Sequence, residues 1–142
     1  GLAYEIGTQV KCFSDTGAFI VHAGIDNRKV EKAICLILKE LGKIREKSAG
    51  KNEFKRAKDF YAGQLILATE DTMDNMLLMG ESECMTGRIV TPEEIVRMIE
   101  KTTLEDIRKI CRYAFEEQKI NLALIGPLKD KEETITGLLR LS

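Results

Sequence analysis

A single histidine stands in these 142 residues, and the four cysteines include no Cys-x-x-Cys pair. A zinc site of ordinary ligand spacing needs several such groups close together, so this stretch has too few to build one by itself. There is no glycine-rich phosphate loop, no Gly-x-Ser-x-Gly elbow and no His-Glu-x-x-His helix, so the signatures of nucleotide binding, serine hydrolysis and metalloproteolysis are all missing. Charge of one sign is lacking too. A formal net charge of −1 at pH 7 gives no electrostatic capture of nucleic acid or anionic membrane. No apolar run approaches the length that crosses a bilayer, and no cationic-then-apolar leader opens the sequence.

What is there fits a soluble globular chain, with 44% hydrophobic and 32% charged residues in the ordinary range. The length suffices for one domain with a single core, or a substantial piece of one. Lys and Glu are interspersed rather than blocked, as on solvated helix faces. Cys12, Cys35, Cys84 and Cys111 are scattered, which suits reduced, mostly buried thiols in a reducing, cytoplasmic setting, with one long-range disulfide left open.

The first stretch organises the rest. From Leu2 to Cys12, Leu2, Tyr4, Ile6, Val10 and Cys12 fall on one face while Glu5, Gln9 and Lys11 fall on the other, the alternation of a strand. Ser14-Asp15-Thr16-Gly17 is a turn cluster, with Gly17 as its left-handed-tolerant position. The β-prone run from Ala18 to Ile25 follows at once, so the pair predicts an antiparallel hairpin. Helical patterning then takes over. Asp26 or Asn27 can cap a helix whose stripe is Val30, Ala33, Ile34, Ile37, Leu38, Leu41 and Ile44, ended by Ser48-Ala49-Gly50.

Asn52 is the cap expected for the next helix, with Phe54, Ala57, Tyr61, Leu65 and Ala68 on one side. Its pattern runs through Met76 and Met79 to Gly87, as one kinked helix or as two broken near Thr69–Thr72. Thr91-Pro92-Glu93-Glu94 and Thr103-Leu104-Glu105-Asp106 each start a helix with a capping threonine and an acidic residue three places on. Ile95, Val96, Met98 and Ile99 form the inward face of the first; Ile107, Ile110, Cys111, Ala114 and Phe115 form that of the second. Ile120–Ile125 is a short apolar run closed by Gly126-Pro127, predicting a late buried strand added to the hairpin. Residues 130–141 predict a terminal amphipathic helix. The class is α+β: a small mixed or antiparallel sheet, covered by helices on one face. Three strands are few for this much apolar helix surface, so the expectation is that residues 1–142 form part of a larger unit with strands upstream.

His22 has no evident partner for base or ligand work and reads as a structural imidazole. Glu70, Asp71 and Asp74 read as helix capping and solvation rather than an acidic site, and Glu81 and Glu83 likewise. Met73, Met76, Met79 and Met85 read as adaptable packing. On periodicity alone Tyr4 is a core tyrosine beside Ile6 and Val10.

A resemblance changes the weight on Tyr4. Gly1-Leu2-Ala3-Tyr4, Asp15-Thr16-Gly17-Ala18-Phe19 and Leu38-Lys39-Glu40-Leu41 are followed by Asn52-Glu53-Phe54-Lys55-Arg56-Ala57-Lys58 and Gln64-Leu65-Ile66-Leu67-Ala68-Thr69-Glu70. Then come Thr91–Ile95, Thr102–Ile107 and Leu122–Pro127. In that order and spacing they resemble the second, non-zinc domain of the pitrilysin/insulinase-type (M16) zinc metallopeptidases, which include the mitochondrial processing peptidases and bacterial relatives. Asp71 stands where that family usually has serine.

The resemblance implies a LuxS/MPP-like metallohydrolase fold, incomplete here, with residues 1–142 as the C-terminal part of the second domain. It implies zinc in the full-length protein, held by a first domain of the same or a partner chain, and none held by these residues. It implies a zinc-dependent endopeptidase that cleaves peptides in a two-domain cleft, to which this part adds cleft closure and substrate contacts. Tyr4 matches the tyrosine of a substrate-contacting arginine–tyrosine pair whose arginine would fall before Gly1. Peptides are the implied substrates, an exposed sheet edge offers a route to a homodimer, and neither nucleic acid nor membrane is implied. The alternative is a non-catalytic relative, a scaffold or processing subunit.

Overall fold

The computed structural model describes residues 1–47, 49–127 and 131–141. Their order is β1 (Ala3–Cys12), β2 (Gly17–Ile25), a 3₁₀ turn (Asn27–Lys29), α1 (Val30–Glu46), α2 (Lys51–Ala68) and α3 (Thr72–Thr86). Then come α4 (Pro92–Lys101), α5 (Leu104–Ala114), a second 3₁₀ turn (Glu117–Lys119) and α6 (Glu132–Gly137). A two-stranded antiparallel sheet followed by helices makes the class α+β. The chain divides into two compact units, Gly1–Ser48 with Arg108–Ser142, and Ala49–Ile107.

In the first unit β1 and β2 form the hairpin that the alternation predicts, with Cys12 opposite Gly17 and Val10 opposite Phe19. Phe13 N–H donates to Thr16 O across the turn, at 2.8 Å. Gly17 is needed for closeness rather than for a left-handed backbone: its φ is not positive, and a Cβ there would sit 3.0 Å from Lys11 O. Val21, Ala23 and Ile25 are half-buried while His22 and Gly24 are exposed, so β2 has an inward and an outward face. Phe19, on the inward face, meets Phe115 edge-on with ring centroids 5.1 Å apart.

The core of this unit is small. Val30, Ile34 and Leu38 of α1 cluster with Ile135 of α6, and Ile120, Leu138, Leu139 and Leu141 pack around them. Each of the four buried side chains contributes about 1.5–3 kcal/mol. An ion pair from Lys131 to Glu31, 2.8 Å long and part-exposed, adds at most about 1 kcal/mol. Asp26 caps the 3₁₀ turn before α1, accepting from Arg28 N–H at 2.9 Å, because its short carboxylate reaches the first free donors of the turn.

Two sequence expectations in this unit are corrected. Ile120–Ile125 forms no strand: Ile120 is extended, but the run has no ladder partner among the described residues, and Ile125 is fully exposed. An apolar run becomes a strand only where a neighbouring strand takes its N–H and C=O groups, and this sheet ends at two strands. The terminal helix is also shorter than residues 130–141. It closes at Gly137, a weak helix former, and Asp130 lies outside the described residues, as does Ser48 at the expected end of α1.

In the second unit α2 and α3 are separate helices, broken at Thr69–Asp71 as one of the two sequence alternatives has it. Asp71 caps α3, accepting from Met73 N–H at 2.7 Å and Asp74 N–H at 3.2 Å. Gly87 ends that helix at φ 70. Asn52 is not the cap of α2; the cap lies two residues earlier, at Gly50, with no side-chain cap bond. Thr91 and Glu94 form the complete capping box of α4 with Pro92 in its first turn. Thr103 and Asp106 repeat the reciprocal bonds ahead of α5.

Lys58 of α2 donates to Glu100 O at 2.5 Å and Thr102 O at 3.0 Å, so a cation closes the carbonyl end of α4. Met98, expected on the inward face of α4, is 58% exposed, and Ile110, expected on that of α5, is 56% exposed. No residue of α2, α3 or α4 is fully buried.

Candidate functional site

The pairing of β1 with β2 changes step at one place. Ala3 lies opposite Ile25 and Glu5 opposite Gly24, so two steps along β1 match one step along β2 and Tyr4 is the extra residue. That is a β-bulge, which breaks the ladder locally and re-aims the side chain it carries. Tyr4 is 84% exposed, against 59% for Ile6 and 65% for Val10 on the same strand, and its hydroxyl has no hydrogen-bond partner among the described residues. The strict alternation that would have put Tyr4 on the face of Ile6 and Val10 therefore fails at Tyr4, and the core-tyrosine reading fails with it. Leu2-Ala3-Tyr4, three apolar residues running into an alternating stretch, is the one trace of the bulge in the sequence.

Pairing assigns the faces beyond the bulge. Ile6, Thr8 and Val10 share the inward face with Ala23, Val21 and Phe19, while Glu5, Gly7, Gln9 and Lys11 share the outward face with Gly24, His22, Ile20 and Ala18. His22 lies directly over Gly7: a Cβ on Gly7 would fall 2.6 Å from its Nε2 and 2.7 Å from its Cε1. The absent side chain is what gives the imidazole its seat, as glycine does where another group must come close. His22 is exposed and sits on the polar face beside Glu5 and Gln9 of the neighbouring strand.

The acidic residues of the second unit have local roles. Asp71 is a helix cap and Asp74 donates to it, while Glu93 takes a lowered pKa from backbone and Thr91 hydrogen bonds in the first turn of α4. Among the described residues no three His, Cys, Asp or Glu gather into a group that could hold a metal ion, so the residues present do not fit zinc. All four cysteines are free, but only Cys111 is buried. The expectation of mostly buried thiols is thereby corrected, because Cys12, Cys35 and Cys84 sit on exposed positions of β1, α1 and α3. Burial pushes the Cys111 thiol up from its ordinary pKa.

Within the second unit, an open groove of about 700 Å³ runs between α2, α3 and α4, with Ile66, Met79 and Val96 on its walls and Arg97 and Asn75 among its polar groups. Asn75 Oδ1 is shut off from solvent there without a hydrogen-bond partner among the described residues. No histidine or cysteine is among the residues that line the groove.

Residues 1–61 match the family described as the Peptidase M16 inactive domain. That stretch holds the hairpin with its bulge, α1 and the first half of α2. An uncharacterized zinc protease of Streptomyces coelicolor is 31% identical over 132 residues, covering 93% of this chain and 28% of that protein. The mitochondrial-processing peptidase subunit alpha-2 of Dictyostelium discoideum is 28% identical over 131 residues, 91% of this chain and 29% of its own length. The chain thus spans less than a third of these relatives.

A solved structure of a predicted insulinase family protease from Yersinia pestis superposes on 96% of this chain and 33% of its own, with a TM-score of 0.58 at 15% identity, a likeness of fold. The α+β class expected from the sequence is the class found. No helix among the described residues is long and apolar enough to cross a membrane. Family model and relatives make this chain similar to the M16 peptidases, and within them to the C-terminal, inactive domain.

Proposed function

We propose that residues 1–142 form the C-terminal part of the second domain of a zinc-dependent metalloendopeptidase, and that Tyr4 engages the peptide substrate from the side of the cleft that holds no metal. The observation that carries this reading is the exposed, unpartnered phenol at the bulge, in a chain similar to proteins named zinc proteases. A phenolic O–H is a donor, and a donor held beside a peptide carbonyl stabilises the charge that grows on its oxygen as the bond is attacked. The zinc ligands come from outside these residues, from a first domain in the same or a partner chain. Apolar side chains that face water here support such a partner, among them Phe60 at 66%, Leu67 at 67% and Met73 at 65%. Both outer margins of the hairpin lack a strand partner among the described residues, which suits further strands or a second copy. Four free thiols suit a cytoplasmic protein.

Steady-state cleavage of a fluorogenic peptide by the two-domain protein with Tyr4→Phe tests the role of Tyr4. Loss of one transition-state donor lowers kcat roughly tenfold to a thousandfold, with a smaller change in KM. Unchanged kcat removes Tyr4 from the mechanism.

A second reading, a non-catalytic scaffold or processing subunit, is favoured by the description of the matching family as an inactive domain and by the relative named as a subunit. Zinc content of the purified two-domain protein separates the two readings, since the scaffold holds none.

A further inference from the structure

The bulge suggests how Tyr4 is aimed. In a regular ladder every residue of β1 faces a residue of β2, and the pleat fixes its side chain to one face of the sheet. Tyr4 escapes that rule because Ala3 and Glu5 take consecutive partners, Ile25 and Gly24. The step costs β1 one pairing, and the phenol at that step is 84% exposed. We infer that this one-residue bulge is a positioning device: the extra residue in β1, rather than the strand itself, sets the direction from which the Tyr4 hydroxyl reaches a peptide. The inference rests on the proposed role of Tyr4 and adds to it that aim depends on register.

Two variants of the two-domain protein remove the bulge by independent routes. Deleting Ala3 shortens β1 so that Tyr4 takes Ile25 as its partner. Inserting an alanine between Gly24 and Ile25 lengthens β2 so that Tyr4 gains a partner of its own. Circular dichroism and thermal melting establish folding, and an alanine inserted between Ser14 and Asp15 in the hairpin turn controls for added length without changing the pairing. Both bulge-less variants lower kcat by the same factor as Tyr4→Phe, with KM changed less, and combining either with Tyr4→Phe adds no further loss, because both act through one hydroxyl.

Full kcat in a folded bulge-less variant, or losses that multiply with Tyr4→Phe, overturns the inference. If neither variant folds, the bulge serves the fold rather than the aim, and the inference is overturned as well. Tyr4→Phe without effect sinks instead the reading on which it stands.

Discussion

Lys58 offers the sharpest stability prediction. Its ammonium on α2 donates to Glu100 O and Thr102 O, at 2.5 and 3.0 Å, where the last carbonyls of α4 have no partner within the helix. It also lies 5.2 Å from the centre of the Phe54 ring. Lys58→Met keeps most of the stem and removes the charge and both bonds. A cation at a partly buried helix C-terminus contributes up to about 2 kcal/mol, and hydrogen bonds to charged groups about 1.5–3 kcal/mol each before the entropy of holding the chain. Lys58 is half-buried, and the two contributions overlap. The net loss is therefore about 1.5–2.5 kcal/mol, confined to the α2–α4 pairing.

Hydrogen exchange followed by mass spectrometry reads this locally. Peptides spanning residues 97–102 exchange roughly tenfold to sixtyfold faster in the variant, at tenfold per 1.4 kcal/mol, while peptides from β1 and β2 do not change. Unchanged exchange in residues 97–102 refutes the claim that this lysine holds the end of α4.

Other outcomes are equally direct. Ile135→Ala empties the α6 contribution to the α1 cluster and lowers stability by about 2–4 kcal/mol in denaturant titration; less than about 1 kcal/mol shows that α6 does not cover α1. Brief alkylation of the native protein labels Cys12, Cys35 and Cys84 and spares Cys111 until the protein unfolds, as mass spectrometry of the intact chain will show. The raised Cys111 pKa means that the folded thiol keeps its proton to higher pH than the unfolded one. Its contribution to stability is whole below the ordinary thiol pKa of about 8.5 and fades as pH rises from there towards the raised value; Cys111→Ser removes that slope. Gly7→Ala pushes His22 off its seat, because the new methyl falls 2.6 Å from Nε2. The His22 ring resonances shift while stability changes by less than about 1 kcal/mol, since an exposed imidazole can rotate away.

The parts of this fold legible in the sequence are those set by local chemistry. The hairpin followed from alternation across a turn cluster. The caps at Asp71, Thr91 and Thr103 followed from short polar side chains in front of apolar stripes, which satisfy free N–H groups whatever surrounds them. What was not legible depends on neighbours. Ile120–Ile125 has a strand's composition but no partner to pair with among the described residues, and Met98 and Ile110 stay exposed on stripes whose other members are buried or half-buried. The bulge at Tyr4 is a pairing event between β1 and β2, visible beforehand only as a lapse in alternation. Lys58 belongs to the Asn52–Lys58 stretch that carries the resemblance, but its bonds to the end of α4 depend on how two helices distant in sequence pack, which no local pattern records.

The central claim is that the phenol of Tyr4 faces the peptide. Replacing Tyr4 with the photo-crosslinking residue p-benzoylphenylalanine in the two-domain protein and irradiating it with a bound, uncleavable peptide tests this most directly. Tyr113, 69% exposed on α5, carries the same replacement as the control for simple exposure. The account predicts a peptide adduct at position 4 that excess unlabelled peptide competes away, and none at position 113. An adduct at neither position, or equally at both, contradicts it.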